Sequence, residues 1–185
     1  MKKIGLTMAM AALAGTMNLA QAEEAAPAAP APAAPAAGVV VFGFEDDAWK
    51  AGKFSAENGK LGLAEENATE GKKALVLEFD RTGKAEGDRP TVRINKVVGF
   101  AGAKKILLDC TFVGEVSPKT KLRAQIRDTA KAAAEATEAL TPGKTTLEID
   151  LVTCDVANLS DMKICLDNCK SGQGKLFLDN FRAVK

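Results

Sequence analysis

Gly174-Lys175-Leu176-Phe177-Leu178-Asp179-Asn180-Phe181-Arg182 closes the chain in the pattern of a strand: Leu176, Leu178 and Asn180 fall on one face, Phe177, Asp179 and Phe181 on the other. A carboxylate between Leu178 and Asn180 is out of place in such a run. In a β-sandwich the closing strand pairs with the opening one. Here the opening stretch is Val39-Val40-Val41-Phe42-Gly43-Phe44-Glu45-Asp46-Asp47, which ends in three acids. Pairing the two ends brings Asp179 near an acidic cluster.

Between these ends, period-2 segments recur over 73–79, 91–98, 105–113, 121–128, 145–152 and 162–166. Turn signals separate them: Thr82-Gly83-Lys84, Gly87-Asp88-Arg89-Pro90, Ser117-Pro118-Lys119, Thr141-Pro142-Gly143-Lys144 and Ser171-Gly172-Gln173-Gly174. Short strands at this spacing predict an all-β antiparallel sandwich or barrel. Residues 129–140 depart from the pattern. Their alanines and glutamates favour a short helix by propensity, whereas their position between two strands favours a hairpin.

The first 22 residues carry Lys2 and Lys3, an apolar run from Ile4 to Ala14 and the small-x-small end Ala20-Gln21-Ala22, the layout of a secretory signal peptide. The run is shorter than the roughly 18 residues of a spanning helix, so the expectation is a secreted or periplasmic product with no transmembrane segment after cleavage. Residues 23–38, nearly all alanine and proline, predict an extended tether or a passive leader. Residues 39–185 have the size of one domain. Loss of Lys2 and Lys3 turns the formal net charge from +1 to −1, and without a basic excess a nucleic-acid partner is not expected.

Several short motifs occur in one order: Phe44-Glu45-Asp46-Asp47 with Trp49; Gly71-Lys72-Lys73-Ala74-Leu75; Lys121-Leu122 with Gln125-Ile126-Arg127-Asp128; Leu140-Thr141-Pro142-Gly143-Lys144 running on to Asp150-Leu151; and Leu178-Asp179-Asn180-Phe181. This order resembles the galactose-binding-like jelly-roll modules attached to secreted carbohydrate-active proteins. The resemblance implies an all-β, two-sheet antiparallel jelly-roll sandwich. It also implies a structural calcium where first and last strands meet, with Glu45 and Asp179 as side-chain ligands and backbone carbonyls of the 67–73 loop completing the shell. Calcium takes six to eight oxygens and would relieve the repulsion of converging carboxylates.

The same resemblance points to a polysaccharide partner, but the residues offer little to stack on a sugar ring. There is no tyrosine, and Phe42, Phe44, Phe79, Phe112, Phe177 and Phe181 sit in strand patterns that core packing explains. Trp49 is the candidate stacking platform; its alternative is a rim residue closing the end of the sandwich. Strand parity supplies a second candidate. With Val92, Ile94, Leu122, Ala124, Ile126, Ile164 and Leu166 turned inward, Arg93, Asn95, Arg123, Gln125, Arg127, Lys163 and Asp167 turn outward. Such a face could hold an acidic or amide-rich glycan, or be an ordinary solvated sheet surface.

Of the four cysteines, Cys110 shares a face with Ile106, Leu108 and Phe112 and reads as a buried thiol. The exported compartment predicts at least one disulfide among Cys154, Cys165 and Cys169. Thiolate zinc would need a second close pair beside Cys165-x3-Cys169. The chain contains no histidine, so neither a Ser-His nor a Cys-His nucleophile pair is available. No enzyme is expected. A non-catalytic carbohydrate-binding module is the leading reading, and a structural or adhesion subunit of the cell envelope the alternative.

Overall fold

The computed structural model describes residues 38–84 and 87–185. The expected signal peptide and, apart from Gly38, the Ala/Pro segment lie outside the described residues. The strands are β1 Val39–Phe42, β2 Phe54–Glu57, β3 Lys60–Ala64, β4 Ala74–Asp80, β5 Thr91–Ile94, β6 Lys105–Val116, β7 Lys121–Asp128, β8 Ala133–Ala139, β9 Gly143–Asp150, β10 Leu159–Asp167 and β11 Gly172–Val184. One sheet runs β3-β4-β11-β6-β9, with β1 also on β11; the other runs β2-β5-β10-β7-β8. Every pairing is antiparallel. This is the two-sheet jelly-roll sandwich that the strand pattern and the motif order predict.

The inward faces of the two sheets meet in one core. Leu75, Leu77, Ile106, Leu108, Leu147, Ile149, Leu176 and Leu178 come from the first sheet, and Val92, Ile94, Leu122, Ala124, Ile126, Met162, Ile164 and Leu166 from the second, all fully buried. Burial on this scale is the main favourable term in folding.

β11 is the axis of the first sheet, and its two halves have different partners. Residues 173–178 pair with β4, while 181–183 pair with β1 on the same edge. Between them β11 bulges against β6: Asp179 stands opposite Asp109 and Arg182 opposite Leu107, so Asn180 and Phe181 together face only Leu108. Asn180 takes the left-handed conformation (φ 51°) that this requires, and asparagine tolerates it better than most residues. The extra residue switches the side-chain alternation. Phe181 and Ala183 join the core, whereas strict alternation from Leu176 would have turned Phe181 outward. Phe177 points to the outer side, where it is buried with Ala74 and Val76 in a cluster flanked by Ala64 at the end of β3 and Ala68 of the segment after it.

The helix favoured by propensity over 129–140 does not form. Residues 133–139 are β8, in register with β7 from Arg127↔Ala133 to Lys121↔Ala139. The turn is held by Lys131 at φ 70° and by Asp128 Oδ1, which accepts from the Ala132 amide at 2.9 Å. The β7 edge offers a full ladder of hydrogen bonds to this segment, and that outweighs an intrinsic preference of a few tenths of a kcal/mol per residue. β8 is left as the edge of its sheet.

The expected disulfide is also absent: all four cysteines are free. Cys165 lies on the outer face of β10, paired across to Arg123 and Thr91, while Cys169, beyond the left-handed turn at Asn168, packs into the core. The two thiols therefore sit on opposite sides of the sheet. Cys154 lies near β8, with its Sγ 3.6 Å from the Ala132 carbonyl. Cys110 is buried in the core, and burial pushes its thiol pKa well up.

The bulge makes a specific demand on position 180. Asn180→Gly keeps the left-handed conformation and loses the side-chain hydrogen bond to Asp109, whereas Asn180→Val must also adopt a backbone conformation costing about 1–3 kcal/mol. Urea unfolding should find the valine variant less stable than the glycine variant by about that margin. Equal losses would mean that the left-handed backbone is not the constraint.

Candidate functional site

Two polar regions stand out, one at the junction of the first and last strands and one across the outer face of the second sheet. At the junction, the edge of β11 between its β4 and β1 partners is filled by the loop that precedes β4. Asp179 Oδ2 accepts from the Thr69 amide (2.7 Å), the Thr69 hydroxyl (3.1 Å) and the Glu70 amide (2.9 Å), and Oδ1 from the Asn180 amide (2.7 Å). Glu45 Oε1 accepts from the Lys72 and Lys73 amides, both at 2.7 Å. Gly71, between these donors at φ 68°, lies so close that a Cβ would fall 2.5 Å from Glu45 Cδ.

Asp109, buried opposite Asp179, has donors of its own. Oδ1 accepts from the Thr146 hydroxyl (2.8 Å) and Arg182 Nη2 (3.0 Å), and Oδ2 from Asn180 Nδ2 (3.1 Å) and the Thr69 hydroxyl (3.1 Å), with Lys144 Nζ at 3.6 Å. Burial pushes its pKa up, but hydrogen bonds from Thr146 and Asn180 and the charges of Arg182 and Lys144 outweigh it, leaving the carboxyl below its ordinary value. Hydrogen bonds from the Lys72 and Lys73 amides likewise lower Glu45.

This donor set does not fit the calcium ion expected between Glu45 and Asp179. The 67–73 loop turns the amide hydrogens of Thr69, Glu70, Lys72 and Lys73 toward the two carboxylates, so Asp179 Oδ2 and Glu45 Oε1 already accept from N–H and O–H groups. The buried side-chain oxygen without a partner here is Asn180 Oδ1, a single ligand where calcium takes six to eight. Among the described residues, no three acids, cysteines or histidines are grouped to hold a metal. Asp109 belongs to this junction although the sequence reading did not single it out. The signal was present in Ile106-Leu107-Leu108-Asp109-Cys110, an acid inside an apolar run like that at Asp179.

On the second sheet, strand parity brings the expected residues together. Val92, Ile94, Leu122, Ala124, Ile126, Ile164 and Leu166 are all fully buried, so their neighbours turn outward. Arg93, Lys163 and Gln125 stand in one row across β5, β10 and β7, continued by Ser55 on β2 and Glu135 on β8. Asp161 lies opposite Arg127, and Cys165 opposite Arg123. Arg127 Nη2 donates to Gln125 Oε1 (3.0 Å), and Gln125 Nε2 to Glu135 Oε2 (3.2 Å). Arg93 binds Glu57 through two nitrogens, which lowers the Glu57 carboxyl. Asn95, just past β5, donates to Ser55 Oγ (3.1 Å) and the Lys53 carbonyl (2.9 Å).

At one end of this face Asp167 is shared by two guanidinium groups, with Arg89 Nη1 at 2.9 Å from Oδ1 and Arg123 Nε at 2.9 Å from Oδ2. A pocket of about 240 Å3 opens beside them. Arg89 and Glu57 were not anticipated; Arg89 lies in a turn, where alternation carries no information.

Trp49 is not on this face. It lies in a short 3-10 helix over Asp47–Gly52, its ring packed against Phe44 (centroids 6.1 Å apart) and Phe54 (5.7 Å), at the margin of the core. It fills the rim position instead of offering an open stacking platform. A larger groove, about 1000 Å3, opens on the other sheet near Lys60, Glu78, Asp80 and Lys175. There Lys175 pairs with Glu66 (3.2 Å) and Glu78 (3.4 Å), and the lining also includes Arg81, Lys84 and Asp88.

No protein-family model matches the sequence, and no curated protein sequence matches it. Solved structures do resemble the fold. A carbohydrate-binding module specific for non-crystalline cellulose, CBM28, superposes with a TM-score of 0.56 at 16% identity, covering 80% of this chain and 95% of that one. A family 11 carbohydrate-binding module of a cellulosomal cellulase of Clostridium thermocellum gives 0.55 at 11% identity, covering 80% and 94%. An exo-beta-agarase gives 0.56 at 12% identity over 77% of this chain, which spans only 24% of that enzyme. The chain thus has the β-sandwich fold of carbohydrate-binding modules.

The amide-held junction has measurable consequences. The melting midpoint at pH 7 should be the same with added calcium and with chelator; a calcium-dependent rise would overturn this description. Because the folded-state pKa values of Asp109 and Glu45 are lowered, their stabilisation is present above the ordinary carboxylate values near pH 4 and is lost as pH falls through the lowered ones. Asp109→Asn should therefore be less stable than wild type at pH 7 and lose less stability between about pH 5 and 3, as read by urea titration at each pH.

Proposed function

We propose that residues 39–185 are a non-catalytic carbohydrate-binding module of an exported protein, and that a polysaccharide lies across the outer face of β2, β5, β10, β7 and β8. The observation that carries this reading is the row of hydrogen-bonding side chains on that face, with Arg93, Arg123, Gln125, Arg127 and Lys163 on three adjacent strands over a fully buried inner face. The inner residues fix the strands, and the outer ones are free to differ without cost to the core. Planar amide and guanidinium groups suit the adjacent hydroxyls and ring substituents of a sugar chain. The likeness in fold to carbohydrate-binding modules supports the same reading.

Affinity electrophoresis through gels containing soluble polysaccharides tests it. At least one polymer should retard the wild-type protein. Arg127→Ala should reduce the retardation while changing unfolding free energy by no more than about 0.5 kcal/mol, as is usual for surface positions. Retardation by no polymer, together with cofractionation with the cell envelope, would favour a structural envelope subunit instead.

A further inference from the structure

The chemistry of this face narrows its ligand, an inference that rests on the carbohydrate-binding reading above. The outward residues include no aromatic ring. Phe42, Phe44, Phe79, Phe100, Phe112 and Phe181 are buried in the core, Phe54 and Trp49 pack against it, and Phe177 is buried on the outer side of the other sheet. There is no tyrosine. A neutral sugar would therefore meet hydrogen-bonding groups alone, and such bonds largely replace ones already made to water. Charge-assisted bonds are roughly twice as strong as neutral ones.

The face has the means for them at the end where Asp167 lies. Four cations, Arg89, Arg93, Arg123 and Lys163, line the small pocket, against two carboxylates, Glu57 and Asp88. Glu57 is engaged by Arg93. Asp88 is turned toward a further cation, with Oδ2 at 3.9 Å from Arg81 Nη1. Asp167 at the edge neutralises one charge but holds two guanidinium groups, one on each oxygen. The lining itself holds four cations against two carboxylates; Asp167 and Glu135, the latter 3.9 Å from Arg123 Nη1, lie outside it and pair with its arginines. The shared carboxylate also fixes Arg123 and Arg89 side by side, and planar guanidinium groups match the oxygens of a carboxylate or a sulfate ester. The formal charge of the whole chain is close to zero, so attraction of an anion must come from this local arrangement.

We propose that the module binds an anionic polysaccharide, with a carboxylate or sulfate substituent of one sugar held in this pocket by Arg89, Arg123 and Lys163. Isothermal titration of the exported protein against polygalacturonate and against a sulfated galactan, with hydroxyethyl cellulose as the neutral polymer and polyglutamate as a non-saccharide polyanion, tests it. The expected result is binding to one or both acidic polysaccharides at 20 mM salt, weakened at least tenfold at 500 mM salt and in the Arg89→Gln/Lys163→Gln double variant, with the neutral polymer bound at least tenfold more weakly. Whichever acidic polymer binds more tightly identifies the substituent. Equal, salt-insensitive binding of hydroxyethyl cellulose would overturn the anionic specificity and leave the carbohydrate-binding reading standing. Binding of polyglutamate as tight as that of the acidic polysaccharides, or an undiminished affinity in the double variant, would also overturn it. Binding to no polysaccharide would overturn both.

Discussion

Two buried carboxylates, Asp109 and Asp179, face each other on the central strands of one sheet, and the surrounding architecture keeps them supplied with hydrogen-bond donors. Unpaired, such groups would cost the fold several kcal/mol each. Here Arg182, Thr146 and Asn180 serve Asp109, backbone amides of the loop before β4 serve Asp179, and the Thr69 hydroxyl lies within 3.1 Å of both. That loop can reach Asp179 because β11 has no strand partner at this point on its outer edge. The bulge that opens the gap also carries Phe181 into the core, where its ring packs 5.7 Å from Phe42 and 5.9 Å from Phe44. Polar junction and aromatic core are thus two results of one inserted residue.

The second sheet was the easier to read from sequence. Its central strands alternate in sequence over 91–94, 121–128 and 162–167, so Val92 and Ile94, Leu122 to Ile126, and Ile164 and Leu166 declare which neighbours face outward. The closing strand is harder, because period-2 reasoning cannot detect an extra residue; only the asparagine at position 180, a residue tolerant of left-handed backbone, hints at it. β2 and β3 escaped notice because Ser55, Glu57, Lys60 and Gly62 leave too few apolar positions to establish a period. The 133–139 segment misled through local propensity, since its strand state is stabilised by the hydrogen-bond ladder to β7, which lies outside the segment. The acids of the junction were visible as anomalies, but whether a cation or a set of amides would answer them depends on loop geometry that no spacing encodes.

The two outer faces differ in how their polar groups are engaged. On the first sheet the loop after β3 covers Phe177 and the acids of the junction are held by internal donors, while a groove of about 1000 Å3 opens elsewhere near Lys60, Glu78, Asp80 and Lys175. On the second, the polar side chains are linked into short chains of hydrogen bonds. Arg123 reaches Asp167, Cys165 and Glu135, and Arg127 reaches Gln125. Such partial internal pairing limits side-chain freedom in advance, which would reduce the entropy lost on binding at this face.

The edge position of β8 bears on how the molecule behaves at high concentration. Its backbone groups on the side away from β7 have no strand beside them, and its side chains, mostly alanine, are too small to shield that ladder. Open edges of this kind template sheet growth from one molecule to the next. Glu135 and Glu138 point to opposite faces of the strand, so a second copy laid alongside would meet like charge both above and below the sheet. Charged side chains on an edge strand disfavour such pairing, so the same glutamates that make the segment look helical in sequence would also oppose the addition of a second copy at this edge.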